Sequence, residues 1–200
     1  SSHQIFEDSL VFSILRGLKL KGNTTSIFDG NDGSETKFTK IFGASAAFSK
    51  IISQSTQKKR VGIVLPPGKG GLVANLAVLL SGKIPVNLNF TAGKKALQSA
   101  SKQAEVKHIY TSRKFLDKML ERGINLESFF PNSKLLMLED IREEISTIER
   151  IGTLLKAIFL PISVIRKAYF KEVSMSEFIP GNLCIGAKTS ELTITKFKRE

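Results

Sequence analysis

Residues 60–90 read RVGIVLPPGKGGLVANLAVLLSGKIPVNLNF, and this stretch decides the fold. Arg60 to Leu65 is a short β-branched run stopped by Pro66 and Pro67, the pattern of a strand buried on both faces. From Lys69 or Gly70 onward the residues are apolar nearly all round, which predicts a buried helix ending by Gly82. KIPVNLNF, residues 83–90, predicts a second strand. Strand, helix and strand joined by short connections make a βαβ unit, and βαβ units make parallel sheets.

The pattern extends in both directions. Upstream, Phe38, Ile41, Phe42, Ser45, Phe48, Ile51 and Ile52 are spaced by three and four, so residues 36–53 predict an amphipathic helix, ended by the polar QSTQKK. Downstream, TAGKKALQSASKQA predicts a helix with Thr91 as its N-cap, and VKHIYTS a third strand. RKFLDKMLERG predicts a further helix closed by Gly123, and SKLLMLED a fourth strand. Residues 36–140 thus form an α/β domain with a doubly wound, mainly parallel sheet and flanking helices. Residues 1–35 read as a helical lead-in, carried by Leu10, Ile14, Leu15 and Leu18, followed by a polar turn at 29–35. Residues 141–180 form an amphipathic helical segment with Leu154, Leu155, Ile158, Ile162 and Ile165 at helical spacing; Pro161 kinks or breaks it. Residues 181–200 are a divergent basic tail.

Thirty Lys and Arg against eighteen Asp and Glu give a formal charge of +12, which favours anionic partners. Trp is absent and Tyr occurs twice, so stacking on single-stranded nucleic acid would fall to Phe, whose spacing fits core packing; nucleic acid is not the expected partner. Cys184 is the lone cysteine, which leaves no internal disulfide and no Cys-based zinc site, and suits a reducing compartment. The first residues make a poor signal peptide, and no apolar run reaches the ~18 residues of a spanning helix. The expected location is cytoplasmic, with peripheral attachment to the inner face of the cytoplasmic membrane as an extension. That extension comes from Lys156, Arg166 and Lys167, which flank the apolar segment and are candidates for membrane or partner contact.

Signals for chemistry are sparse. PPGKGG sits between a strand and a helix, where phosphate-cradling loops occur, so Gly68, Lys69 and Gly70 are candidate phosphate contacts. The dinucleotide fingerprint would need glycine at Val73, and the Walker pattern would need Ser or Thr after Lys69; a tight strand–helix turn is the competing reading. His3 and His108 are the two histidines, and His108, inside a predicted strand, reads as structural. Glu139, Asp140, Glu143, Glu144 and Glu149 alternate with Arg142 and Arg150 and read as helical pairs on a solvated face. The chain contains no complete catalytic set and no metal-ligand cluster by spacing.

The runs Val61-Gly62-Ile63-Val64-Leu65-Pro66, Gly82-Lys83-Ile84-Pro85-Val86-Asn87-Leu88-Asn89-Phe90-Thr91 and Tyr110-Thr111-Ser112-Arg113-Lys114-Phe115-Leu116 resemble the N-terminal part of the acyl-adenylate-forming (AMP-dependent synthetase/ligase) superfamily. The nearest branch is the acyl–acyl carrier protein synthetase domain of 2-acylglycerophosphoethanolamine acyltransferase-type proteins, and the resemblance covers about residues 36–180. It implies ATP- and Mg-dependent activation of a fatty acid to acyl-AMP, then transfer to a carrier thiol and, in this branch, to a lysophospholipid. It also implies a Ser/Thr/Gly-rich phosphate loop ending in Pro-Lys-Gly soon after FIPGNL, and a later domain with a catalytic lysine. Here the chain reads CIGAKTSELTITKFKRE instead, and the match ceases near Cys184. The expectation is an N-terminal fragment of such a ligase, inactive alone, with ATP and Mg not held tightly. Its partner would be the missing C-terminal ligase portion or a second copy. The alternative is a non-enzymatic basic module for an anionic membrane or an acidic acyl carrier protein; an independent nucleotide-binding domain using PPGKGG is a weaker third.

Overall fold

The computed structural model describes residues 10–145 and Gly152. His3, Lys156, Arg166, Lys167, Cys184, the basic tail and nearly all of the amphipathic segment lie outside the described residues. Within them, helix α1 (Leu10–Lys21) leads into a hairpin of β1 (Ser26–Asp29) and β2 (Ser34–Lys37). Then follow α2 (Phe38–Ser55), β3 (Arg60–Ile63), α3 (Lys69–Leu80), β4 (Ile84–Asn87), α4 (Lys94–Gln103), β5 (His108–Thr111), α5 (Arg113–Glu121), β6 (Lys134–Met137) and α6 (Leu138–Glu144).

The four later strands form one parallel sheet in the order β4-β3-β5-β6. The alternation of side chains across the pleat sorts the core into two layers. On one face Val61, Ile63 and Tyr110 pack against Phe48 and Ile52 of α2, Ala77 of α3 and Ile141 of α6. On the other, Val64, Val86 and Ile109 pack against Leu97 of α4 and Phe115 and Met119 of α5. Helices therefore cover both faces, and the doubly wound α/β architecture expected from the sequence is the one observed. Tyr110 sits edge-on to Phe48 with ring centroids 4.9 Å apart. Its hydroxyl finds no partner in hydrogen-bonding geometry, and burial pushes the phenol up to about 12.

Gly62 is required in the middle of β3. A Cβ there would lie 2.7 Å from Val106 Cγ1 and 2.8 Å from Ile109 Cγ1, so the bare backbone lets β5 and its lead-in close on the central strand. Local chemistry sets the helix ends. Ser112 caps α5 by accepting from the Phe115 N–H at 3.2 Å. Gly123, at φ 78°, ends that helix in the left-handed turn expected of it.

Three local readings shift. The amphipathic helix runs Phe38–Ser55 rather than 36–53, because Thr36 and Lys37 pair with β1. The turn at 29–35 is the loop of a hairpin, in which Asp29 faces Ser34 and Ser26 faces Lys37. Thr91 does not cap α4. It lies inside a short 3₁₀ turn, Phe90–Ala92, whose cap is Asn89, and α4 starts after Gly93 at φ 82°.

Candidate functional site at the carboxyl ends of the strands

In an open α/β sheet the ligand crevice lies beyond the carboxyl ends of the strands, where consecutive connections leave for opposite faces. Here that point falls between β3, whose connection leads to α3 on one face, and β5, whose connection leads to α5 on the other. PPGKGG stands at this end. The turn passes through Gly68 at φ 150°, ψ −173°, a conformation open essentially to glycine alone.

The structure places Gly68, Lys69 and Gly70 at the start of α3, as the sequence reading expects. It also shows what meets them. The loop of the β1–β2 hairpin folds over the turn, and Asp29 Oδ2 accepts the Lys69 backbone N–H at 2.7 Å. Asp29 Oδ1 accepts the backbone and side-chain N–H groups of Asn31 at 2.9 and 2.8 Å. Asn31 Nδ2 donates onward to the Pro67 carbonyl at 2.5 Å. The Lys69 ammonium reaches Asp32 at 3.2 Å and also donates to Ser34 Oγ. A free N–H at a helix N-terminus attracts an anion, and the anion here is a carboxylate of the chain itself. Hydrogen bonds from Lys69, then Asn31, hold the Asp29 carboxyl below the usual carboxylate range. The Ser34 hydroxyl, followed by the Ser34 backbone N–H and the Lys69 ammonium, lowers Asp32 to about 2.

Beside this clasp, between the ends of β3 and β4, lies a crevice of about 410 Å³. Leu65, Pro66, Leu72, Leu88 and Phe90 give it apolar walls. Its polar element is an amide pair: Asn75 Nδ2 donates to Asn87 Oδ1 at 3.0 Å, and Asn87 Nδ2 donates to Asn75 Oδ1 at 2.8 Å. The sequence reading gave neither asparagine a role, although Asn87 stands in run 82–91; the two lie twelve residues apart on α3 and β4. At the end of β5, Thr111 is fully buried and its hydroxyl has no partner.

The remaining candidates are structural in their surroundings. His108 is half-buried with Nδ1 unpartnered, and burial, followed by the nearby Lys134 charge, lowers its pKa. Glu139 and Asp140, expected to pair along their own helix, bond instead to Arg113 of α5. Glu139 Oε2 accepts the Arg113 backbone N–H at 3.1 Å, and Asp140 bonds the Arg113 guanidinium at 2.5 Å, tying α6 to the start of α5. That hydrogen bond raises the Arg113 pKa. Among the described residues no group of three or more His, Cys, Asp or Glu could hold a metal ion. Among them, too, no helix is long and apolar enough to cross a membrane.

No protein-family profile matches the sequence. Solved structures do. VinN in complex with 3-methylaspartate aligns with TM-score 0.54 and 12% identity over 76% of this chain and 40% of that one. The nonribosomal peptide synthetase FmoA3, bound to alpha-methyl-L-serine-AMP, aligns with TM-score 0.56 and 11% identity over 70% of this chain and 15% of that one. Apo MatB from Rhodopseudomonas palustris aligns with TM-score 0.51 and 15% identity over 68% and 28%. The fold is that of the N-terminal part of the adenylate-forming enzymes. This chain spans less than half the length of each of these adenylating proteins. At such identities the adenylate-forming likeness speaks for the backbone arrangement alone.

Proposed function

We propose that this chain is the N-terminal portion of a fatty-acid-activating ligase and is catalytically silent by itself. The complete enzyme would use ATP and Mg to form acyl-AMP, then pass the acyl group to acyl carrier protein or a lysophospholipid. The observation that carries the reading is the coincidence of two independent likenesses. The described α/β unit takes the fold of the N-terminal part of adenylate-forming enzymes, and runs 61–66, 82–91 and 110–116 resemble the acyl–acyl carrier protein synthetase branch.

The chemistry of the described residues supports a scaffold role. At the α3 N-terminus a carboxylate already takes the Lys69 N–H. The sheet's strands and turns hold the Pro66–Gly70 turn and the crevice in place, while the groups that would bind ATP and Mg belong to the portion the family carries further on. The partner of this unit is that C-terminal portion or, in its absence, a second copy. Reading the nucleotide sequence after codon 183 in all frames tests this: a Ser/Thr/Gly-rich loop followed by Pro-Lys-Gly is expected. A protein joining residues 1–183 to that frame should catalyse fatty-acid-dependent ATP–pyrophosphate exchange. No such loop in any frame, or robust exchange by the present chain alone, overturns the proposal.

The charge of +12 supports a second reading, in which the chain is a non-enzymatic module on an anionic membrane or an acidic carrier protein, peripheral to the inner face of the cytoplasmic membrane. Sedimentation with anionic liposomes should then be salt-sensitive and should depend on Lys156, Arg166 and Lys167. Absence of binding at low salt would remove this reading.

A further inference from the structure

The opposite end of the sheet carries a second, larger cavity of about 620 Å³, bounded by the loop before β3, the last turn of α4 and the loop before β6. Three lysines from three separate segments line it: Lys58, Lys102 and Lys107. All three are exposed, and no ion pair or side-chain hydrogen bond engages their ammonium groups among the described residues. Glu105 is the one carboxylate in the lining. The floor is apolar: Val106 and Phe130 are buried in the core, and Phe129 stands half-buried beside them. The Lys94 ammonium lies 5.7 Å from the Phe129 ring centroid and covers that ring. Within the lining, Ser133 Oγ donates to the Val106 carbonyl at 2.7 Å.

We propose that this groove binds a soluble phosphate ester bearing an apolar group. The volume suits a small organic ligand. Three unpaired cations against one carboxylate call for an anion with more than one negative charge, which a phosphate monoester carries near neutral pH. Pro131 is exposed in the lining and Phe129 keeps part of its surface open, and this apolar area gains only if the ester group is apolar. No side-chain carboxylate takes up these cations, in contrast to Lys69 at the other end. The inference is independent of the proposed ligase reading, because none of these residues lies in the runs that carry it.

Phenyl phosphate is a suitable probe, titrated into the full chain and followed by amide NMR shifts. Saturable shifts confined to Lys58 and to residues 98–107 and 129–133 are expected, weakening as salt is added. The Lys58→Ala/Lys102→Ala/Lys107→Ala variant should bind at least about tenfold more weakly, a loss of about 1.4 kcal/mol. Lys118→Ala, on α5 and outside the groove, should bind as the parent does. Glu105→Gln should tighten binding. Equal affinity for inorganic phosphate, no saturable shift at about 10 mM probe, which is weaker than ordinary ligand sites, or unchanged binding by the triple variant would each overturn the proposal. Vesicles of phosphatidylcholine containing phosphatidic acid form a second arm. If they sediment the parent but not the triple variant, while phenyl phosphate gives no shifts, the occupant is a lipid headgroup and the soluble-ligand assignment fails.

Discussion

At the carboxyl end of the sheet, positive groups are matched from within: the α3 N-terminus and the Lys69 ammonium meet Asp29, Asp32 and Ser34 of the hairpin. At the amino end, Lys58, Lys102 and Lys107 surround an open groove in which only Glu105 opposes them. The backbone differs in the same sense. The carboxyl-end turn needs a glycine conformation and has Gly68 there. The amino-end turn after α4 runs through φ 52° and carries Glu105. One end has a residue suited to its backbone and a complete charge network; the other holds a strained residue and unmatched charge. Strain of this kind gathers where a surface is kept for something other than stability.

The comparison breaks most severely at Gly68. A Cβ there would lie 2.6 Å from Asn31 Nδ2 and 2.9 Å from Asp29 Oδ2, in a backbone region L-residues avoid. Gly68→Ala should cost about 3 kcal/mol in urea unfolding, from backbone strain together with loss of the clasp. An effect below about 1 kcal/mol would mean that the hairpin moves aside freely. Next comes Asp29, which caps α3 from forty residues away in the chain. Asp29→Ala should cost about 2 kcal/mol, the upper end for a lost N-cap, and should speed hydrogen exchange at the Lys69 amide.

The clasp should also respond to acid with a definite sign. The folded-state pKa values of Asp29 and Asp32 lie below the ordinary aspartate value of 3.8, so their contribution is complete above that value. It is lost as pH falls through the folded values, about 2 for Asp32. Hairpin amide protection, taken relative to the intrinsic exchange rate at each pH, should therefore fall as pH drops below about 4, and Asp29→Asn should flatten that fall; an identical profile in the variant would assign the acid response elsewhere. At the other end the expected effect is smaller and of opposite sign. Glu105→Gly relieves a left-handed L-residue, offset by glycine's greater unfolded-state freedom, and should stabilise by about 0.5–1 kcal/mol. Destabilisation there would show that the Glu105 side chain makes a contribution larger than its strain.

Much of this contrast lay beyond the reach of sequence. β3, α3 and β4 were legible because a β-branched run, a proline stop and a glycine close spell out their boundaries locally. The hairpin was not, since SIFD and SETK are four-residue strands with little apolar alternation, held by a contact between Asp29 and Lys69. The Asp-Gly pairs in FDGNDGSE are turn chemistry that could have signalled it. PPGKGG was legible as a strand–helix turn, but not the carboxylate that meets it. Likewise the charge of +12 was evident, while the convergence of Lys58, Lys102 and Lys107 depends on how three segments return to the same end of the sheet.

The strand order β4-β3-β5-β6 has a consequence for the chain as it is made. β3 leaves the ribosome before either of its neighbours, yet it ends up between them. It must wait for Ile84–Asn87 on one flank and His108–Thr111 on the other, and its buried residues Val61 and Ile63 stay uncovered meanwhile. The hairpin emerges earlier still, and it cannot lock until Lys69 follows. Assembly is thus ordered by synthesis: the clasp and the β3–β4 pair can form on a nascent chain of modest length, whereas the basic groove needs Ser133 in place and closes last.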